Sequence, residues 1–102
     1  MVKKKKLPPI HPGEILSDRL LVPLNISPSE LATVLKVPKE QIKWICEKRG
    51  DITPDLAARL AIYFNTTAEF WMNLQRSYEE EIARERINLL KKEIKPREEI
   101  RN

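Results

Sequence analysis

Apolar residues recur at helical spacing along most of the chain. Ile15, Leu16, Leu20 and Leu21 form a stripe behind Pro12 and Glu14, residue types suited to a first helical turn, and Pro23 is expected to end this helix. Ser27, Pro28 and Glu30 have the spacing of a capped helix start, and Leu31, Ala32 and Leu35 supply the buried face behind it. A short break at residues 36–38 leads into a second short helix, where Ile42, Ile45 and Cys46 fall on one side at i, i+3 and i+4. Thr53 and Pro54 mark a further start, with Leu56, Ala57, Leu60, Ala61 and Phe64 on one face and Asn65 as a left-handed stop. The last and longest helix is expected to start at Thr66 with Glu69 in capping-box spacing and to run without glycine or proline to Pro96. Phe70, Leu74, Tyr78 and Ile82 recur along it every four residues, and Ala83, Ile87, Leu90 and Ile94 make a second stripe. That is more apolar face than four short helices can cover, which implies a partner chain.

Composition narrows this picture to an all-α fold. The chain has 102 residues, 41% hydrophobic and 33% charged, enough for one small domain, and its two glycines are too few for the turns of a multi-stranded sheet. The expected organisation is a basic tail at 1–9, a helical domain at 10–95 and a frayed tail at 96–102. A single cysteine forms no intramolecular disulfide, and no apolar stretch follows the N-terminal lysines, so a cytoplasmic protein without a membrane span is expected.

Charge adds a direction. Up to Thr66 there are 11 basic and 7 acidic residues, and from Thr67 onward 8 of each, so the net charge of +4 lies in the first two thirds. This suits a polyanion partner without proving one. The lysine run at 3–6 reads either as a phosphate-contacting arm or as a solvated tail.

The chemistry of enzymes is hard to assemble from this sequence. Cys46 and His11, the only histidine, fall short of the four N/S ligands of a structural zinc site, and no glycine-rich phosphate loop, paired buried carboxylates or Ser/His/Asp set is present. Cys46 reads as a small core residue, His11 as a helix-start cap, and the glutamates at 79–81 as a solvated face. Neither catalysis, a metal nor a cofactor is expected.

Opposite Ile42, Ile45 and Cys46, the second short helix turns Lys39, Glu40, Lys43, Trp44, Glu47 and Lys48 outward. Polar, reaching side chains on the second of two turn-linked helices suit the major groove of DNA, which is about 12 Å wide and admits a helix. Ala32, Lys36 and Ile42, with Leu31, Leu35, Val37 and Ile45 as apolar positions, resemble the helix-turn-helix of Xre-type, lambda-repressor-like proteins. IHPGEIL at 10–16, DITPDLAARLAIYF at 51–64 and TTAEFWMNLQRSYE at 66–79 narrow the resemblance to HigA-type, or VapI-like, antitoxins.

This resemblance implies a five-helix domain with an extended C-terminal helix, forming a homodimer on a palindromic operator upstream of its own genes, and a HigB-type ribonuclease toxin as protein partner. Carried over by position, Lys39, Glu40, Lys43 and Trp44 would face bases, Gln41 would lie near phosphates, and Ser27 and Ser29 would sit where the preceding helix meets the DNA backbone; the cations Lys48 and Arg49 are further phosphate candidates by their charge. Apart from the resemblance, the apolar stripe of Phe70, Leu74, Tyr78 and Ile82 reads as core or as the dimer or partner interface. Three departures from the family's pattern stand out. Lys36 stands where the turn usually has glycine, EKR at 47–49 replaces a common NGK and should lengthen the helix or reshape its loop, and Glu40 and Trp44 occupy sites where small or hydrogen-bonding polar residues are usual. A carboxylate repels phosphate yet accepts from a cytosine amino group, and an indole offers area to a thymine methyl or to a protein. The alternatives to an operator-binding antitoxin are therefore a protein-interaction module that keeps the helix-turn-helix as scaffold, or a nucleic-acid binder without sequence choice.

Overall fold

In the computed structural model, residues 8–98 are described and fold into five helices without a strand. The lysine run at 3–6 and the last residues of the expected C-terminal tail, 99–102, lie outside them. The first helix, α1, is continuous from Pro12–Glu14 through wider, π-type turns at Ile15–Leu21 to Val22–Leu24. Pro23 does not end it. The Val22 N–H reaches back five residues to Ser17 O, and such widened turns relieve the clash between a proline ring and the carbonyl four residues earlier. The stop comes at Asn25, in the left-handed conformation at φ 57°.

Helix α2, Pro28–Leu35, begins with a complete capping box: Ser27 Oγ accepts from the Glu30 N–H at 3.0 Å and Glu30 Oε1 accepts from the Ser27 N–H at 2.9 Å. A cap of this kind is worth about 1 kcal/mol. Lys36 closes α2 in the left-handed conformation at φ 61°, at a cost of about 1 kcal/mol for a residue with a Cβ, and the Val37 N–H then satisfies Ala32 O at 3.0 Å.

Helix α3, Lys39–Cys46, follows two residues later. The segment at 47–49 reshapes the loop rather than lengthening the helix, since Lys48 turns left-handed at φ 64° and the Arg49 N–H caps Trp44 O at 2.8 Å. Helix α4, Pro54–Phe64, starts as expected with Thr53 Oγ1 accepting from Leu56 N–H and stops at a left-handed Asn65.

Two boundaries of α5, Ala68–Leu90, differ from expectation. Its cap is Thr67, whose Oγ1 accepts from the Phe70 N–H at 3.0 Å, because the neighbouring Thr66 hydroxyl is engaged by the Trp71 indole N–H at 2.9 Å. The helix ends at Leu90, six residues before Pro96, in turns closed by the Glu93 and Ile94 N–H groups on Leu90 O. Ile87, Leu89 and Ile94 are exposed there, so no neighbouring helix supports the last turns.

The core joins all five helices through fully buried Leu16, Leu31, Ile42, Ile45, Leu56, Leu60 and Trp71. Each such aliphatic side chain contributes roughly 2 kcal/mol. Two buried positions are polar, His11 and Gln75. Gln75 accepts from the Ile52 N–H at 2.7 Å and donates to Asp51 and Glu79, fixing the loop between α3 and α4 to the long helix. Arg59 does a similar service, bonding Asp55 and the Leu35 carbonyl at the end of α2. No helix among the described residues is long and apolar enough to cross a membrane.

Candidate nucleic-acid interface

Winding α3 at about 100° per residue places Ile42 and Ile45 on the buried side and Lys39, Glu40, Lys43, Trp44 and Glu47 within one arc on the opposite side. All five are exposed, and Trp44 keeps 47% of its surface despite its size. The start of α2 lies against the start of α3, so that Ser27, Pro28, Ser29, Lys39, Glu40 and Lys43 line one open cleft of about 450 Å³. Its chemistry is two hydroxyls, two ammonium groups and one carboxylate at the rim. Ser27 Oγ accepts from Glu30 and still has its own O–H to donate. Among the described residues, Lys39, Glu40 and Lys43 are held in no ion pair or side-chain hydrogen bond.

The structure thus gathers six of the nine residues expected to face DNA: Ser27, Ser29, Lys39, Glu40 and Lys43 at the cleft and Trp44 one turn further along α3. Gln41 is half-buried beside them in the first turn. Lys48 and Arg49 are set apart, beyond the far end of α3, where Lys48 pairs with Glu14 at 3.6 Å and Arg49 with Glu47 at 3.7 Å. Both pairs are exposed and weak, which leaves the cations free to exchange partners. Of the residues expected at an interface between chains, Phe70 is exposed, whereas Leu74, Tyr78 and Ile82 are half-buried, Leu74 against the core and Tyr78 edge-on to His11 at 4.8 Å.

The carriage of α3 depends on two residues with no charge to show for it. His11, only 4% exposed, caps α1 by accepting from the Gly13 N–H at Nδ1, 2.9 Å, and donates from Nε2 to Gly50 O at 2.9 Å. Gly13 lies so close to the Ile45 carbonyl that a Cβ would overlap it. The start of α1 is therefore clamped directly on the end of α3 and its following loop. The cap at His11 is legible in the sequence, but nothing local reports the contact between Gly13 and Ile45, 32 positions apart.

Burial pushes the His11 imidazole below its ordinary range. The Gly50 carbonyl and the nearby Asp51 and Glu14 carboxylates offset this only in part, and Lys48 adds to the lowering. Cys46 is half-buried, and its thiol is pushed up by burial and by Glu47, which removes nucleophilic character. Among the described residues, no three His, Cys, Asp or Glu side chains are grouped to hold a metal.

No protein-family model matches the chain. Virulence-associated protein I of Dichelobacter nodosus is 38% identical over 90 residues, 85% of this chain and 83% of that protein. Antitoxin HigA-1 of Vibrio cholerae is 30% identical over 95 residues, 93% of this chain and 90% of that one. Among solved structures, antitoxin HigA of Pseudomonas aeruginosa, determined with the higBA promoter, is 44% identical with a TM-score of 0.79 and covers 86% of this chain and 97% of its own. The chain belongs to the HigA antitoxin family.

Within a HigA fold, α2 and α3 are the helix-turn-helix, with α3 in the place of the recognition helix. The departures noted in the sequence now have structural outcomes. Lys36 takes the left-handed turn that glycine would take, and Lys48 does the same after α3, so a HigA-type loop forms here without glycine at either position. Gly50, in contrast, has no positive φ and is packed against Ile45 and Trp44. Glu40 and Trp44 remain on the outward face, uncommitted to the interior.

Proposed function

We propose that the protein is a sequence-specific DNA-binding antitoxin that represses its own operon as a homodimer and neutralises a HigB-type ribonuclease. The observation that carries this reading is the cleft shared by the two helix starts, where the Ser27 and Ser29 hydroxyls and the Lys39 and Lys43 ammonium groups converge beside an outward face shaped for a groove. A Pseudomonas relative has its structure with promoter DNA, and support for the toxin partner comes from the antitoxin names of the relatives.

A palindromic operator calls for a two-fold protein. The surface that favours one lies beside α2: Val34, Leu35, Arg59, Ile62 and Tyr63 line an apolar groove of about 260 Å³, and Ile62 is 82% exposed at its edge. Tyr63 at its edge packs edge-on against Phe64, their ring centres 5.0 Å apart. Ile62→Glu should yield a monomer by sedimentation, with the circular dichroism of a folded helical chain, because an exposed site tolerates the charge whereas an apolar interface does not.

A reporter fused to the DNA upstream of the gene tests repression. The wild-type chain should silence it, and Lys43→Ala should weaken silencing and lower affinity for every DNA sequence by a similar factor, on the order of tenfold or less, with a shallower salt dependence. A reporter indifferent to the protein would sink the repressor reading. The exposed Trp44 would then favour the module that binds protein instead. The toxin is tested by co-expression with the product of the neighbouring open reading frame, which should co-purify with the chain and lose its toxicity.

A further inference from the structure

We infer that each half-site of the operator presents a cytosine to Glu40 and a thymine methyl to Trp44, the two lying within two base pairs of one another. This rests on the operator-binding reading above and assigns the chemistry of its specificity.

Lys39 and Lys43 share the cleft with Ser27 and Ser29 of the preceding helix, a cation and hydroxyl set suited to phosphate oxygens. Glu40 and Trp44 lie on the adjoining side of the same outward arc, about 40° apart around the axis and about 6 Å apart along it. That rise is less than two base steps of about 3.4 Å. The lysines on either side of Glu40 in sequence offset the repulsion between its carboxylate and the phosphates.

A carboxylate accepts hydrogen bonds and offers none when ionised, which excludes most base edges. Guanine shows only acceptors in the major groove, and thymine shows an acceptor and a methyl group. Adenine has an amino donor, but its N7 acceptor lies beside it and repels a second carboxylate oxygen. Cytosine alone combines an amino donor, N4, with no acceptor on its own major-groove edge. Trp44 has one donor and a broad apolar ring held in the open at 47% exposure, and the thymine methyl is the apolar feature of the major groove.

Selection of binding sites from a random duplex library, with wild type and Glu40→Gln in parallel, tests the first half. The wild type should select cytosine at one position of each half-site. Glu40→Gln should change that position to adenine, which glutamine reads through N6 and N7, and leave the others unchanged. For the second half, replacing the nearby thymine by uracil removes only the methyl group. It should lower wild-type affinity about threefold or more and leave Trp44→Ala unaffected, with circular dichroism confirming that both variants fold. Retention of cytosine by Glu40→Gln overturns the role of Glu40, and wild-type indifference to uracil overturns that of Trp44. A wild-type chain that selects no motif overturns the operator-binding reading itself, so the two failures are told apart.

Discussion

Gly13→Ala should lower the melting temperature by roughly 12–24 °C, corresponding to a loss of about 3 kcal/mol in a domain of this size. The new Cβ would overlap the Ile45 carbonyl oxygen and sit 2.6 Å from its carbon, both backbone atoms on the buried side of α3 that a side-chain rotation cannot move. Relief requires α1 to separate from α3, which also breaks the His11 bond to Gly50. Gly50→Ala is the control. Its Cβ would meet the Ile45 Cγ1 at 3.1 Å and the Trp44 Cβ at 3.4 Å, and its backbone is not in the left-handed region, so a change below about 1 kcal/mol is expected. Chemical denaturation of both variants, followed by circular dichroism, checks the pair. Equal stability of the two would show that the clamp between α1 and α3 does not hold.

Acidification below pH 6.5 should destabilise the fold through His11. Its neutral ring is fixed with Nε2 donating and Nδ1 accepting, and a second proton at Nδ1 would face the Gly13 N–H. Because folding lowers the pKa, the unfolded chain binds the extra proton first as pH falls. The contribution is therefore fully present above the unfolded value near 6.5 and is lost progressively below it, at most by about 1.4 kcal/mol per pH unit for one proton. Melting curves between pH 7.5 and about 5.5, above the range of ordinary carboxylates, isolate this group. His11→Asn should be less stable than wild type at pH 7.5 and nearly flat across the window. A wild-type stability independent of pH there would show that His11 can take its second proton without loss.

Much of the helical order was legible because its signals are local. Ser27 with Glu30, Thr53 with Pro54, and Asn65 each act through hydrogen bonds or dihedral angles within one turn, and all three occur where their spacing implies. Pro23 was misleading, since its cost depends on the turn it enters, and nothing in the letters announces π-type turns. Of the adjacent threonines, the cap is decided by a tertiary contact, the Trp71 indole on Thr66, which leaves Thr67 for the helix.

The long helix shows the same limit more sharply. Its visible apolar stripe begins at Phe70, yet the buried positions are Trp71 and Gln75, one residue out of phase. A glutamine is buried there because Ile52 offers an unpaired N–H, a demand set by a loop 23 residues earlier. The outward face of α3 was readable from periodicity alone. Its joining to Ser27 and Ser29 in one cleft, and the separation of Lys48 and Arg49 from it, depend on how two helices pack.

Sequence-selective binding through α3 is the property on which operator recognition depends. Fluorescence anisotropy with a labelled duplex from immediately upstream of the gene, against a random duplex of equal length, measures it directly. Binding to the upstream duplex should be at least about a thousandfold tighter, with affinity falling steeply as salt is raised. Equal affinity for the two duplexes would contradict it.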